Sequence, residues 1–253
     1  MQTEPKIMAH RGGMERAPEN SVSAFRLALK DGADAFECDV NLTKDKEPVI
    51  IHTQFNEYDI QEVTGSPLQL NALNWADVKK LKILNSNESV CHLDDVLSFV
   101  KETKLRCFIE PKLMSEELVQ IVINRIQHFN LVEIVGVLTF YSRRKMLIQA
   151  KHLAPKIETS VIIFNPFADF FKAAKTANAT RVILGWKNIN QFRLSSPFFS
   201  LVRQKVARLK KNGIVTEAGF ISKRGDVIWA LKNGIEGLWT DTVPKIRKFI
   251  EDI

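Results

Sequence analysis

The chain has 253 residues, 45% of them hydrophobic and 26% charged, and its 36 Lys and Arg against 29 Asp and Glu leave a formal net charge of +7. That composition marks a soluble globular protein, and the length suits one α/β barrel of about 250 residues. The basic balance favours anionic partners such as phosphoesters, but there is no dense Lys/Arg block and no interleaved basic and aromatic repeat, so nucleic acid is not an expected partner.

Further classes drop out quickly. No run of about 18 or more apolar residues is present, so no membrane span is expected. Cys38, Cys91 and Cys107 show no Cys-x-x-Cys spacing and read as reduced, buried thiols. A short polar start leading straight into an apolar run leaves no room for a signal peptide, and the expected location is cytoplasmic.

The predicted elements alternate strand and helix along the whole chain. A strand over 6–10 leads through a glycine pair to a helix over 21–30, with Val22, Phe25 and Leu29 on one face, Asn20 as its expected N-cap and Gly32 just past its end. Strands follow over 34–40 and 47–52, then helices over 75–82 and 93–103. From there the pairs are strand 106–110 with helix 115–129, strand 133–140 with helix 142–152, and strand 157–164 with helix 166–177. Strand 180–186 with helix 197–212, strand 213–217 with helix 222–233, and strand 235–240 with helix 244–251 complete the pattern. Short Ile- and Val-rich strands without strict alternation are those of a parallel sheet buried on both faces. The unbroken rhythm points to a single-domain α/β fold, a TIM (β/α)8 barrel spanning 1–253, with a small excursion over about 53–104. Nine strand candidates exceed eight, so 34–40 or 47–52 is expected in a hairpin-like pair.

In such a barrel, reactive groups gather at the carboxyl ends of strands. His10 and Arg11 end the first strand. Glu37 and Asp39 stand two apart and share a face, with Cys38 pointing the other way; Glu110 and Lys112 repeat that spacing, and His52 ends the run Pro48 to Ile51. Three convergent carboxylates repel one another in a dry pocket unless a cation joins them, and oxygen donors favour a hard divalent ion, Mg²⁺ or Ca²⁺. Arg11 and Lys112 suit a phosphoryl group. His10 and His52 would supply the base and the acid of a displacement at phosphorus. Taken singly, each has a plainer explanation: Asn20 as a helix cap, Glu110 with Lys112 as a salt bridge.

Together these stretches resemble the glycerophosphodiester phosphodiesterase family. The matching text is His10-Arg11-Gly12, Pro18-Glu19-Asn20-Ser21, the run Gly32 to Val40, Val49-Ile50-Ile51-His52, Ile109-Glu110-Pro111-Lys112 and Trp239-Thr240-Asp241. The resemblance implies a TIM barrel and one divalent metal at Glu37, Asp39 and Glu110. It further implies acid–base catalysis by His10 and His52, with Arg11 and Lys112 near the phosphate. Family substrates are glycerophosphodiesters, cleaved to glycerol 3-phosphate and an alcohol; some relatives cleave lysophospholipids in the manner of a lysophospholipase D.

The chain departs from the family pattern at Thr53, where aspartate usually follows the histidine, at 61–64, and at 214–217, where a tryptophan is usual. Thr53 motivates one rival reading, a catalytically idle barrel that binds phosphoesters. Aromatics after the strands ending near 164 and 186 (Phe164, Phe167, Phe170, Phe171, Trp186, Phe192, Phe198 and Phe199) motivate another. They read either as a helix core stripe or as a rim for an acyl chain or a membrane surface. Arg203, Lys205, Arg208, Lys210 and Lys211 read as a solvated helix face, with anionic lipid headgroups as the alternative partner.

Overall fold

Ten strands form one sheet in the computed structural model, which describes residues 4–186, 189–194 and 199–253. They are β1 (Lys6–Ala9), β2 (Ala35–Leu42), β3 (Pro48–Ile50), β4 (Cys91–His92), β5 (Arg106–Pro111), β6 (Val135–Phe140), β7 (Glu158–Ile163), β8 (Arg181–Leu184), β9 (Val215–Ala218) and β10 (Gly237–Thr240). Eight of these run parallel in the order β1-β10-β9-β8-β7-β6-β5-β2, and β2 pairs back to β1 through Met8↔Ala35 and Ala9↔Phe36, closing the barrel. Helices between the strands cover the outside, as the sequence rhythm requires.

The surplus strand is the segment at 47–52. β3 lies antiparallel on β2, with Val40 opposite Ile50 and Leu42 opposite Pro48, and the two-residue β4 pairs antiparallel with β3 in turn. His52 is therefore not at the carboxyl end of a barrel strand. β2 overshoots the barrel, turns, and β3 runs back down beside it, so that the Ile51 N–H donates to the Asp39 carbonyl at 3.1 Å. This return path brings His52 to the mouth from above. Between β3 and β4 the chain packs a second apolar cluster, Val49, Ile51, Ile60, Leu70, Val78 and Val90, which includes the short helices Gln61–Thr64 and Trp75–Val78.

Strand periodicity sorts the side chains. Phe36, Cys38, Val40, Cys107 and Ile109 face the surrounding helices, while Met8, Ala35, Phe108, Leu138, Ile162, Ile183, Trp186 and Trp239 fill the interior. Below that layer Arg181 Nε donates to the buried Glu217 at 3.1 Å, and the Trp239 indole N–H donates to the other Glu217 oxygen at 2.9 Å. Cys38 and Cys107 approach to 3.8 Å between their sulfurs, and all three cysteines are free and buried. Among the described residues, no helix is long and apolar enough to cross a membrane.

Two local expectations change. Ser21, not Asn20, caps the helix Val22–Lys30: its hydroxyl accepts the Ala24 N–H at 3.2 Å. Asn20 sits in the left-handed region at φ 57°, and its side chain is used elsewhere. The helix expected over 166–177 is shortened to Phe170–Thr176, started by the Asp169 side chain.

Barrel filling yields a first prediction. A Cβ on Gly136 would stand 2.7 Å from the Phe108 ring. Gly136→Ala is expected to destabilise the fold by about 1–3 kcal/mol through overpacking, read as a lower urea midpoint with unchanged slope.

Candidate active site

Glu37, Asp39 and Glu110 project inward from β2 and β5, where the register sets Asp39 beside Glu110. One oxygen from each lies within 4.8 Å of the others, and none of the three residues is more than 2% exposed. Glu37 Oε1 and Glu110 Oε1 are buried without a hydrogen-bond partner. Unsatisfied carboxylate oxygens converging on one point fit a hard divalent cation.

The titration of the cluster is uneven. Burial pushes Glu37 well above the ordinary carboxylate range, with Asp39 and Glu110 adding to the push and Arg11 opposing it. Burial raises Glu110 to about 7 against the pull of Lys112. Burial works in the same direction on Asp39, but Lys112 and Arg11 together reverse it and hold that carboxyl below its usual range. The contacts explain the difference. Lys112 Nζ bridges Asp39 and Glu110 at 3.1 Å each. Arg11 Nε lies 3.1 Å from Asp39, its Nη1 lies 2.9 Å from Glu19, and its backbone N–H donates to Glu37 at 3.0 Å. Arg11 adopts φ 49° to make these contacts. The glycine after it is needed too, because a Cβ on Gly12 (φ 85°) would fall 2.7 Å from that of Ala24.

The two histidines differ in their surroundings. His10 is 5% exposed, and its Nδ1 is 2.7 Å from Asp241 Oδ1, which leaves Nε2 directed toward Glu37 at 3.9 Å. Trp186 and Phe220 pack edge-on to its ring. Burial lowers its basicity, partly offset by Asp241. His52 makes no hydrogen bond among the described residues, and burial lowers it to about 4, with Arg11 and Lys112 adding to the effect and Asp39 opposing. It lines a cleft of about 740 Å³ together with Arg11 and Glu19, whose far wall is Glu62, Val63 and the segment 83–86.

All seven residues singled out in the sequence therefore meet at one mouth. A family model, the glycerophosphoryl diester phosphodiesterase family, matches residues 10–245. The chain belongs to this family. It is 24% identical over 246 residues to the glycerophosphodiester phosphodiesterase of Caldanaerobacter subterraneus subsp. tengcongensis, covering 93% of each chain. Two solved structures share its fold. One is an Oleispira antarctica phosphodiesterase in complex with the product sn-glycerol-3-phosphate (TM-score 0.80, 19% identity, 98% of this chain and 97% of that one). The other is the glycerophosphodiester phosphodiesterase of Thermotoga maritima (TM-score 0.76, 18% identity, 98% and 99%). The family is one of hydrolases.

Within this family member, two contacts of the site residues were not visible in the sequence. Asn20 is a clamp rather than a cap: its Nδ2 donates to Asp39 Oδ2 at 2.9 Å, and its Oδ1 accepts the Asp39 N–H at 3.0 Å. Its place between Glu19 and Ser21 looked like a helix start, and nothing local pointed to β2. Asp241 was visible only as part of the Trp-Thr-Asp text, without a role. At the departure Thr53, the buried hydroxyl accepts a hydrogen bond from Asn41. In place of the usual tryptophan near 214–217, the buried Glu217 takes the Trp239 indole N–H. The aromatic segment divides. Phe170, Trp186 and Phe192 are core, Phe171 is half-buried, and Phe164 and Phe167 are 45% and 64% exposed. Phe198 and the Phe199 side chain lie outside the described residues. Lys205 and Arg208 tie their helix to the 166–169 loop rather than standing free.

Asn20→Ala is expected to weaken divalent-metal binding about 10- to 100-fold by releasing the Asp39 carboxylate. It should also cost about 1–3 kcal/mol of stability through the orphaned Asp39 N–H. Metal titration by calorimetry and urea unfolding measure the two effects separately.

Proposed function

We propose that the chain hydrolyses glycerophosphodiesters to glycerol 3-phosphate and an alcohol. The observation that carries this reading is the meeting of three buried carboxylates, the buried Lys112, the half-buried Arg11 and two unlike histidines at one barrel mouth beside a cleft. The product held by the Oleispira antarctica structure is of the same chemical class.

Glu37, Asp39 and Glu110 would hold one Mg²⁺ or Ca²⁺, which when bound supplies positive charge to the phosphoryl oxygens. Arg11 and Lys112 flank the same place and orient the phosphate. His10 is the proton acceptor for the attacking hydroxyl, of water or of the substrate's own glycerol: Asp241 fixes its Nδ1–H, so the Nε2 lone pair faces the reacting centre. His52, on the cleft side, gives its proton to the leaving alcohol oxygen. An anionic phosphate beside His52 offsets the fields of Arg11 and Lys112 and favours the protonated ring. The excursion over about 53–104 contributes the far wall of the cleft and so meets the alcohol portion of the substrate.

Glycerol 3-phosphate release from glycerophosphocholine or glycerophosphoethanolamine, with Mg²⁺, Ca²⁺ or chelator, tests the reading. Release is expected with metal, is abolished by chelator, and falls about 10²- to 10⁴-fold in His10→Ala and in His52→Ala. No release with either ion, from protein that still binds metal, would overturn it.

The raised carboxyls set a pH dependence for the metal. Protons and the ion compete for the same oxygens, so binding weakens as pH falls through the Glu110 value of about 7, with Glu37 shifted in the same direction. The thermal stabilisation by Mg²⁺ or Ca²⁺ is expected to be larger at about pH 8 than at about pH 5.5, with net proton release on binding at and below about pH 7. Equal stabilisation at both would show that the ion does not compete with protons on raised carboxyls here.

A further inference from the structure

The cations expected to meet the phosphate are already engaged. Arg11 lies between Glu19 and Asp39, and Lys112 between Asp39 and Glu110. A third cation stands at the same mouth and is not. Arg143 follows directly on β6, the strand beside β5, in the short helical turn Tyr141–Arg143. Its guanidinium lies over the face of Phe55 and 5.1 Å from the centre of the Phe140 ring. Phe55 is three residues past His52, and the next residue, Asn56, donates its backbone N–H to the Lys112 carbonyl at 2.9 Å. Arg143 therefore packs on the segment that is tied to the Lys112 backbone, at the carboxyl end of the strand next to β5.

Nothing among the described residues neutralises it. Arg143 makes no ion pair there, and its Nη1 is buried without a hydrogen-bond partner. Burial lowers its basicity to about 10, with Glu110 opposing, so it stays charged at neutral pH. A buried cationic N–H without an acceptor is costly, and an anion that accepts from it recovers that cost. A guanidinium placed over aromatic faces can still donate from its N–H edge.

We propose that Arg143 is a further substrate-binding residue, whose N–H edge receives a non-bridging oxygen of the phosphate. The assignment rests on the diesterase reading. It adds to Arg11 and Lys112, which also hold the carboxylates, a cation with no such duty among the described residues.

The test compares Arg143→Gln, Arg143→Met and Arg143→Lys with the wild type, by kinetics on glycerophosphocholine and by calorimetric binding of glycerol 3-phosphate and inorganic phosphate. Gln and Met are expected to raise KM and the dissociation constants about tenfold or more, with kcat changed less than about threefold, and Lys to recover part of the loss. Added guanidinium ion should restore phosphate binding to Arg143→Ala. A purely structural role, pinning the Phe55 segment, would lower the melting temperature and kcat without raising the phosphate dissociation constant, and that result overturns the proposal. If the uncharged variants do not fold, Arg143→Lys decides: it keeps the charge and loses the fork, so a dissociation constant raised about three- to tenfold supports the assignment and an unchanged one removes it. Binding of glycerol 3-phosphate by a wild type that turns over no diester would count against the diesterase reading and leave Arg143 to be judged on the binding data.

Discussion

Three carboxylates held within 4.8 Å of one another repel strongly when water is excluded, and the mouth of this barrel is arranged around that repulsion. Lys112 bridges two of them, Arg11 reaches a side chain on one and a backbone contact on another, and Asn20 clamps Asp39 from both of its amide atoms. The compensation is incomplete. Asp39, touched by every partner, is held ionised, whereas Glu37 and Glu110 are driven toward the neutral acid. An unpaired remainder of this kind is a poor contribution to stability and a good site for a divalent ion, and it is the feature from which the chemistry follows.

The barrel keeps that polar group away from its other buried charges. Arg181, Glu217 and the Trp239 indole form a satisfied network lower in the interior, and the ring of Phe108, Leu138, Ile162 and Ile183 lies in the interior with it. The layering comes from strand periodicity: β5 carries Phe108 and Glu110 on its inward face, and β2 carries Ala35, Glu37 and Asp39. The mouth itself is two-sided, with the carboxylates and cations on the β1, β2 and β5 side and the aromatic rings of Phe140, Trp186 and Phe220 across from them. His10 belongs to both halves, bonded to Asp241 and packed against Trp186 and Phe220. That placement explains why it is the drier and better-oriented of the two imidazoles, whereas His52 opens to the cleft.

Much of this was legible in the residues. Glu37 with Asp39 and Glu110 with Lys112 were readable because a strand's side chains repeat every second residue, so spacing alone states which share a face. His52 was expected at the barrel mouth, where it lies, but for a mistaken reason. An Ile- and Val-rich run looks the same whether it enters the barrel or folds back on β2, because apolar content reports burial and not direction. Asn20 was misread since a polar residue before a helix satisfies a cap pattern whether or not it serves as one. Ser21 took that role, and Asn20, at positive φ, turned toward β2.

The sequence by itself determined the alternating architecture, the inward carboxylates and the basic residues among them, since these depend on local periodicity and on the residue types. Tertiary structure alone decided the Asp241 partner of His10, separated from it by 231 residues and joined only by closure of β10 onto β1. It also decided which cations are engaged by carboxylates, as Arg11 and Lys112 are, and which, like Arg143, make no ion pair among the described residues. Pairing of charges depends on distances of a few ångströms between segments far apart in the chain, and a linear pattern carries no measure of those distances.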